Sequence, residues 1–165
     1  KRALNYILDY FNRVDNKEFD DLIHQAAEII VNSHEVICSG IGLSDAIAKF
    51  AASLFNRKGK RTMYIGDFSS RFRGMYDQND CALFFTVSGE TREIIDRIKD
   101  LKKYDIKIIV ITNSASSTAA KMSDLALTYY MPSTKNGDFY SSATQVPVLY
   151  IIEFIANLFI EYGIY

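Results

Sequence analysis

The chain has 165 residues, 48% hydrophobic and 24% charged, which excludes disordered and fibrous classes and predicts one domain with a core of its own. Nineteen Lys and Arg against twenty Asp and Glu leave a formal net charge of −1, so the basic footprint of a module that grips nucleic acid by itself is missing. Apolar runs stop short of the roughly 20 residues that span a bilayer, and no leader pattern opens the chain, so a cytoplasmic protein without membrane contact is expected. The first residue is Lys1 rather than Met, which reads as a piece of a longer protein.

Leu4, Ile7, Leu8 and Phe11 recur at helical spacing, giving a leading helix within residues 1–16 that ends at Val14-Asp15-Asn16. The main domain is expected over 17–165. Phe19, Leu22, Ile23, Ala26, Ile29 and Ile30 predict its first helix, and Glu35 to Ser39 a strand that stops at Gly40-Ile41-Gly42-Leu43-Ser44. A helix through Ile47, Ala48, Ala51, Leu54 and Phe55 follows, with Gly59 as its C-terminal cap. The alternation then repeats: strand Arg61 to Ile65, short helix Ser69 to Tyr76, strand Cys81 to Val87, helix through Ile94, Ile95, Ile98 and Leu101. Strand Lys107 to Ile111, helix Ser116 to Met122, strand Leu125 to Tyr130 and a long helix from Ser142 to about Tyr162 complete the chain.

Strands apolar throughout are buried on both faces, the mark of a parallel sheet covered by helices. The expected fold is therefore α/β, a doubly wound five-stranded parallel sheet with helices on both faces. Cys38 and Cys81 are too few for a disulfide scaffold or a zinc site and read as buried small residues. No metal and no other cofactor is expected.

In such a sheet, ligands bind beyond the carboxyl ends of the strands. Three turns there carry small polar residues: Gly40 to Ser44, Thr86 to Thr91, and Thr112 to Ser117. Thr86-Val87-Ser88-Gly89-Glu90-Thr91 offers three hydroxyls, a glycine that permits close approach and the amides of a helix start, which are the parts of a phosphate site. The same residues would also make a well-capped strand-to-helix turn. Gly42 and Ser44 add a second such helix start on the same edge. A P-loop is excluded, because no Gly-Lys-Ser/Thr triplet occurs. A dinucleotide site would use Gly40 and Gly42 with Asp67, but its third glycine position is Asp45, and that reading leaves the Thr86–Thr91 hydroxyls unexplained.

The pair of motifs, Gly40-Ile-Gly42-Leu-Ser44 and Thr86-Val-Ser-Gly-Glu-Thr91, resembles the sugar isomerase (SIS) domain over nearly the whole chain after Lys17. The resemblance implies a phosphosugar ligand held by Gly42, Ser44, Thr86, Ser88, Gly89 and Thr91, with Ser141 and Ser142 as sugar contacts. Many relatives have Ser where this chain has Thr86; the hydroxyl is kept. Isomerases of the family commonly use Glu and His. Here His24 and His34 both precede or open the first strand, at its amino end, so no catalytic residue is expected. Glu90 and Glu153 are the available carboxylates, and their roles stay open.

Tyr64-Ile-Gly-Asp67, Ser141-Ser142-x-x-Gln145 and the leading helix resemble the RpiR-like transcription regulators, in which a helix-turn-helix domain precedes an SIS domain that senses a phosphosugar. That resemblance implies DNA contact only through a part absent from this chain; the alternative is a phosphosugar isomerase or related SIS lyase. The last helix, apolar on more than one face, suggests a homodimer interface.

Overall fold

The computed structural model describes residues 3–66, 75–132, 134–136 and 140–165. In chain order the elements are α1 (Ala3–Val14), α2 (Lys17–Asn32), β1 (Val36–Gly40), α3 (Leu43–Arg57), β2 (Thr62–Tyr64), β3 (Cys81–Thr86) and α4 (Arg92–Lys102). Then come β4 (Lys107–Thr112), α5 (Thr118–Met122), β5 (Leu125–Thr128), β6 (Thr134–Asn136), β7 (Tyr140–Ser142), α6 (Val146–Asn157) and a 3-10 turn over Phe159–Tyr162.

β1 to β5 form one sheet in the order β2-β1-β3-β4-β5, and every pairing is parallel. Side chains of successive strand residues leave by opposite faces. Val36, Cys38, Leu83, Phe85, Ile109 and Ile111 enter one core, closed by α1, α2, α3 and α6; Ile37, Ala82, Phe84, Ile108 and Val110 enter the other, closed by α4 and α5. The five-stranded doubly wound sheet is thus present as expected. α3 lies close on the sheet because its inner positions are small, Ser44, Ala48, Ala51 and Ala52, with Phe55 at the far end. Its exit uses Gly59 at φ +91°, the left-handed residue that follows the helix.

From β1 the chain winds outward through α3 to β2, then returns to the far side of β1 to begin β3. Connections leaving β1 and β3 therefore lie on opposite faces, and a crevice opens between their carboxyl ends. In doubly wound sheets this reversal is where ligands bind.

Two expectations need correction. The long terminal helix starts at Val146, not Ser142, with Pro147 in its first turn, and gives way after Asn157 to the 3-10 turn. Ser142 is extended, in β7, which pairs antiparallel with β6, two short strands absent from the sequence-based expectation. The fifth strand ends at Thr128 rather than Tyr130, which has φ +49°. The short helix expected over Ser69 to Tyr76 falls largely on 67–74, outside the described residues; Met75 and Tyr76 are not helical.

α6 also bears on the dimer argument. Pro147, Val148, Ile151, Ile152, Ile155 and Ala156 are buried within the chain, against α1, α2, α3 and the sheet. Its apolar character is met inside one protomer, so it does not by itself call for a partner. α1 is docked as well, with Tyr10 1% exposed in the same core. Cys38 and Cys81 are fully buried, and burial lifts the Cys81 thiol to about 11.

Candidate functional site

The register sets Gly40 beside Phe85, so the turns after β1 and β3 are neighbours at the crevice. The first is shaped by backbone crowding. A Cβ on Gly40 would sit 2.2 Å from the Ser44 carbonyl oxygen, and Gly42 adopts φ +63°, so neither position accepts an ordinary side chain without strain. The tight turn brings Ser44, 7% exposed, into the first turn of α3.

The second turn is built on hydroxyls. Thr86, 3% exposed, accepts the Gly89 N–H at 3.1 Å and shares a hydrogen bond with the Thr91 hydroxyl at 3.3 Å. Ser88 Oγ accepts the Glu90 N–H at 3.1 Å. Gly89 has φ +69°, and a Cβ there would lie 2.0 Å from Ser117 Oγ. The six residues named from the sequence thus fall on two adjacent turns: Gly42 and Ser44 on one, Thr86, Ser88, Gly89 and Thr91 on the other.

Both helices that leave the crevice start without a side-chain cap. Gly42 precedes α3, and Thr91 precedes α4 with its carbonyl accepting the Ile95 N–H at 3.0 Å but its side chain bonding none of the α4 amides. Elsewhere Asn16 caps α2 and Ser117 caps α5. The two starts differ in their backbone: at α3 the Ser44 and Asp45 N–H groups donate to the Ile41 and Gly42 carbonyls at 3.2 and 3.1 Å, whereas a first turn without a side-chain cap, as at α4, presents N–H donors and the positive end of the helix dipole, which suits an anion. Asp45, the acid in the first turn of α3, is engaged away from that role. It accepts the Tyr64 hydroxyl, and Lys49 lies 3.5 Å from its other oxygen; the same bond pushes the Tyr64 phenol up to about 12.

Other expectations are placed as follows. Ser141 and Ser142 lie in β7, and their side chains are outside the described residues, as is Asp67. His24 Nδ1 is 3.0 Å from the Tyr162 hydroxyl, and His34 precedes β1, 3.7 Å from Asp80, at the amino edge. Glu153 is exposed on α6. Among the described residues no group of three or more His, Cys, Asp or Glu is arranged to hold a metal ion. Nor is any described helix long and apolar enough to cross a membrane.

Two contributors escaped the sequence reading. Arg97, half-buried on α4, donates to Ser39 Oγ at 2.8 Å and to the Gly66 carbonyl at 3.0 Å, tying α4 to the ends of β1 and β2. Its signal was a long cation set between the inward positions Ile94 and Ile98. Thr118 is the other: its N–H and hydroxyl donate to the two Glu90 carboxylate oxygens at 2.8 and 2.7 Å, which holds that carboxyl below its usual range.

A five-stranded parallel sheet with helices on both faces and two glycine-containing turns at its reversal point defines the class, an open doubly wound α/β domain. Comparison with known proteins narrows it: the SIS domain family matches residues 29–151, and the chain belongs to that family. An uncharacterized HTH-type transcriptional regulator of Clostridium perfringens is 29% identical over 98% of this chain and 58% of its own length. Arabinose 5-phosphate isomerase KdsD of Francisella tularensis is 30% identical over 68% of this chain and 36% of its own. The sugar isomerase domain of an RpiR transcription factor from Sphaerobacter thermophilus superposes with a TM-score of 0.78 at 18% identity, covering 97% of this chain and 86% of that one. The chain spans less than two-thirds of the length of both curated relatives.

Proposed function

We propose that this chain is the phosphosugar-sensing effector domain of an RpiR-like transcription regulator, whose DNA-binding helix-turn-helix lies elsewhere in the whole protein. The observation that carries the ligand class is the Thr86–Thr91 turn, where the Thr86, Ser88 and Thr91 hydroxyls adjoin the uncapped start of α4, with the Gly42–Ser44 turn beside it on the neighbouring strand. Phosphate docks on the Thr86–Thr91 turn and Ser44, and the sugar extends toward the start of α6. The match to a regulator over 98% of this chain supports the sensing role. Ligand binding then shifts the relative placement of two subunits, which requires different affinities for the two arrangements.

The isomerase relative favours a second reading, aldose–ketose isomerisation. Against it, His24 is engaged with Tyr162 and His34 lies at the amino edge, so neither reaches the crevice within one subunit.

Single substitutions test the site and the second reading. Ser88→Ala and Thr91→Val are each expected to weaken phosphosugar binding by about 1–3 kcal/mol, the usual loss when a partner of a charged group is deleted. Titration calorimetry measures it, and unchanged affinity in both variants would refute the site. His24→Ala is expected to leave affinity intact; a large loss would favour the enzyme.

A further inference from the structure

We infer that Glu90 is a positioning residue, which with Thr118 locks the phosphate-binding turn to the neighbouring crossover and takes no part in proton transfer. The inference rests on the phosphosugar reading of the Thr86–Thr91 turn.

An acid at a helix start ordinarily interacts with its own helix dipole. Glu90 does something else. It reaches across to a residue 28 positions later, where Oε1 accepts the Thr118 N–H at 2.8 Å and Oε2 accepts the Thr118 hydroxyl at 2.7 Å. Hydrogen bonds to an ionised carboxylate are the strong ones, and a pair of them fixes orientation as well as distance. Glu90 and Thr118 are both exposed, so neither contact is a by-product of packing.

The clamp is one of several bonds that run between the same two segments. The Gly89 carbonyl accepts the Ala119 N–H at 2.9 Å. The Val87 carbonyl accepts the Asn113 N–H at 3.0 Å and the Thr112 hydroxyl at 3.2 Å. Gly89 itself lies against Ser117 so closely that no Cβ fits. The turn over Thr112 to Ser117, which carries hydroxyls like the other two, therefore serves as a scaffold for the Thr86–Thr91 turn. A loop held this way is ordered before the ligand arrives, so binding does not have to order it.

The same geometry argues against Glu90 as a general base. Each oxygen is already an acceptor in a charge-assisted bond. These bonds, with Lys121 nearby, hold the carboxyl below its usual range, which makes it a weak proton acceptor at neutral pH. The arrangement also fixes a negative side chain toward Thr118 instead of leaving it loose beside an incoming dianion.

The test uses the full chain with inorganic phosphate and glucose 6-phosphate as probes. Glu90→Ala and Thr118→Val are each expected to weaken binding about 5–10-fold, and the double variant no more than the worse single one, because both remove one interaction. Glu90→Gln is expected to stay within about 3-fold of the parent, since its amide can accept from the Thr118 N–H and donate to the Thr118 hydroxyl. Amide hydrogen exchange at Gly89, Glu90 and Thr118, without ligand, should quicken in Glu90→Ala and stay slow in Glu90→Gln. Additive losses, unchanged exchange, or a Gln variant as damaged as the Ala variant would overturn the positioning role. If the parent binds a probe and no variant differs, the positioning role alone falls. If the parent binds neither probe nor any other sugar phosphate, the phosphosugar reading falls and takes this role with it.

Discussion

Gly89→Ala is expected to cost the domain about 2–5 kcal/mol, adding a left-handed backbone penalty to forced overpacking. Both causes are local. The residue sits at φ +69°, and the new methyl would meet Ser117 Oγ at 2.0 Å and Ser117 Cβ at 2.2 Å. Ser117 has little room to yield: it is 3% exposed, donates to the Ser114 carbonyl at 2.8 Å and caps α5. The turn would have to lift away, breaking the bond from Ala119 N–H to the Gly89 carbonyl and misaligning the α4 amides. Denaturant unfolding should show a lower midpoint with an unchanged slope, and phosphosugar response should be lost even where the variant is folded. A parent-like midpoint would mean that the turn is not built as described.

Thr86→Val should have the second largest effect, and it acts through a hydrogen bond rather than shape. Valine matches threonine in volume but leaves the buried Gly89 N–H without the acceptor it has at 3.1 Å. An unpaired buried donor costs about 1–3 kcal/mol. Thr91 loses its 3.3 Å partner at the same time, so the hydroxyl that faces the α4 start is no longer held. Phosphosugar affinity is expected to fall by more than about tenfold, which corresponds to about 1.4 kcal/mol or more. Thr86→Ser keeps the hydroxyl and should bind within a few-fold of the parent. Calorimetric titration of both variants decides it: equal losses would assign the effect to packing instead of the hydroxyl.

The fold could be read from the sequence because its strongest signals are strands apolar on both faces, such as Cys81 to Thr86, alternating with helical spacing. That Gly42, Ser44, Thr86, Ser88, Gly89 and Thr91 share two adjacent turns was likewise readable, because glycines and hydroxyls at strand ends are local features. What escaped was non-local. The Glu90–Thr118 clamp joins residues 28 apart, and Arg97 reaches Ser39 across 58. Neither pairing leaves a pattern along the chain. The expected last helix is misplaced at both ends: it takes in the mostly polar Ser142 to Gln145 that precede the apolar run, and hydrophobicity persists beyond Asn157 through the 3-10 turn, so it marks burial but not where the helix stops. Its apolar faces suggested a second subunit, whereas α1, α2 and α3 supply most of the cover.

The most direct test is a thermal-shift screen of the chain against sugar phosphates, each paired with its unphosphorylated sugar, with the same mixtures assayed for turnover. A ligand at about 100 times its dissociation constant adds about 2.7 kcal/mol, a visible rise in melting temperature. A sensing domain predicts a shift with at least one phosphosugar, none with the parent sugar, and no isomerised product. Turnover of the stabilising phosphosugar would contradict the sensing role in favour of the isomerase, and a shift with a nicotinamide dinucleotide but with no phosphosugar would contradict the ligand class itself.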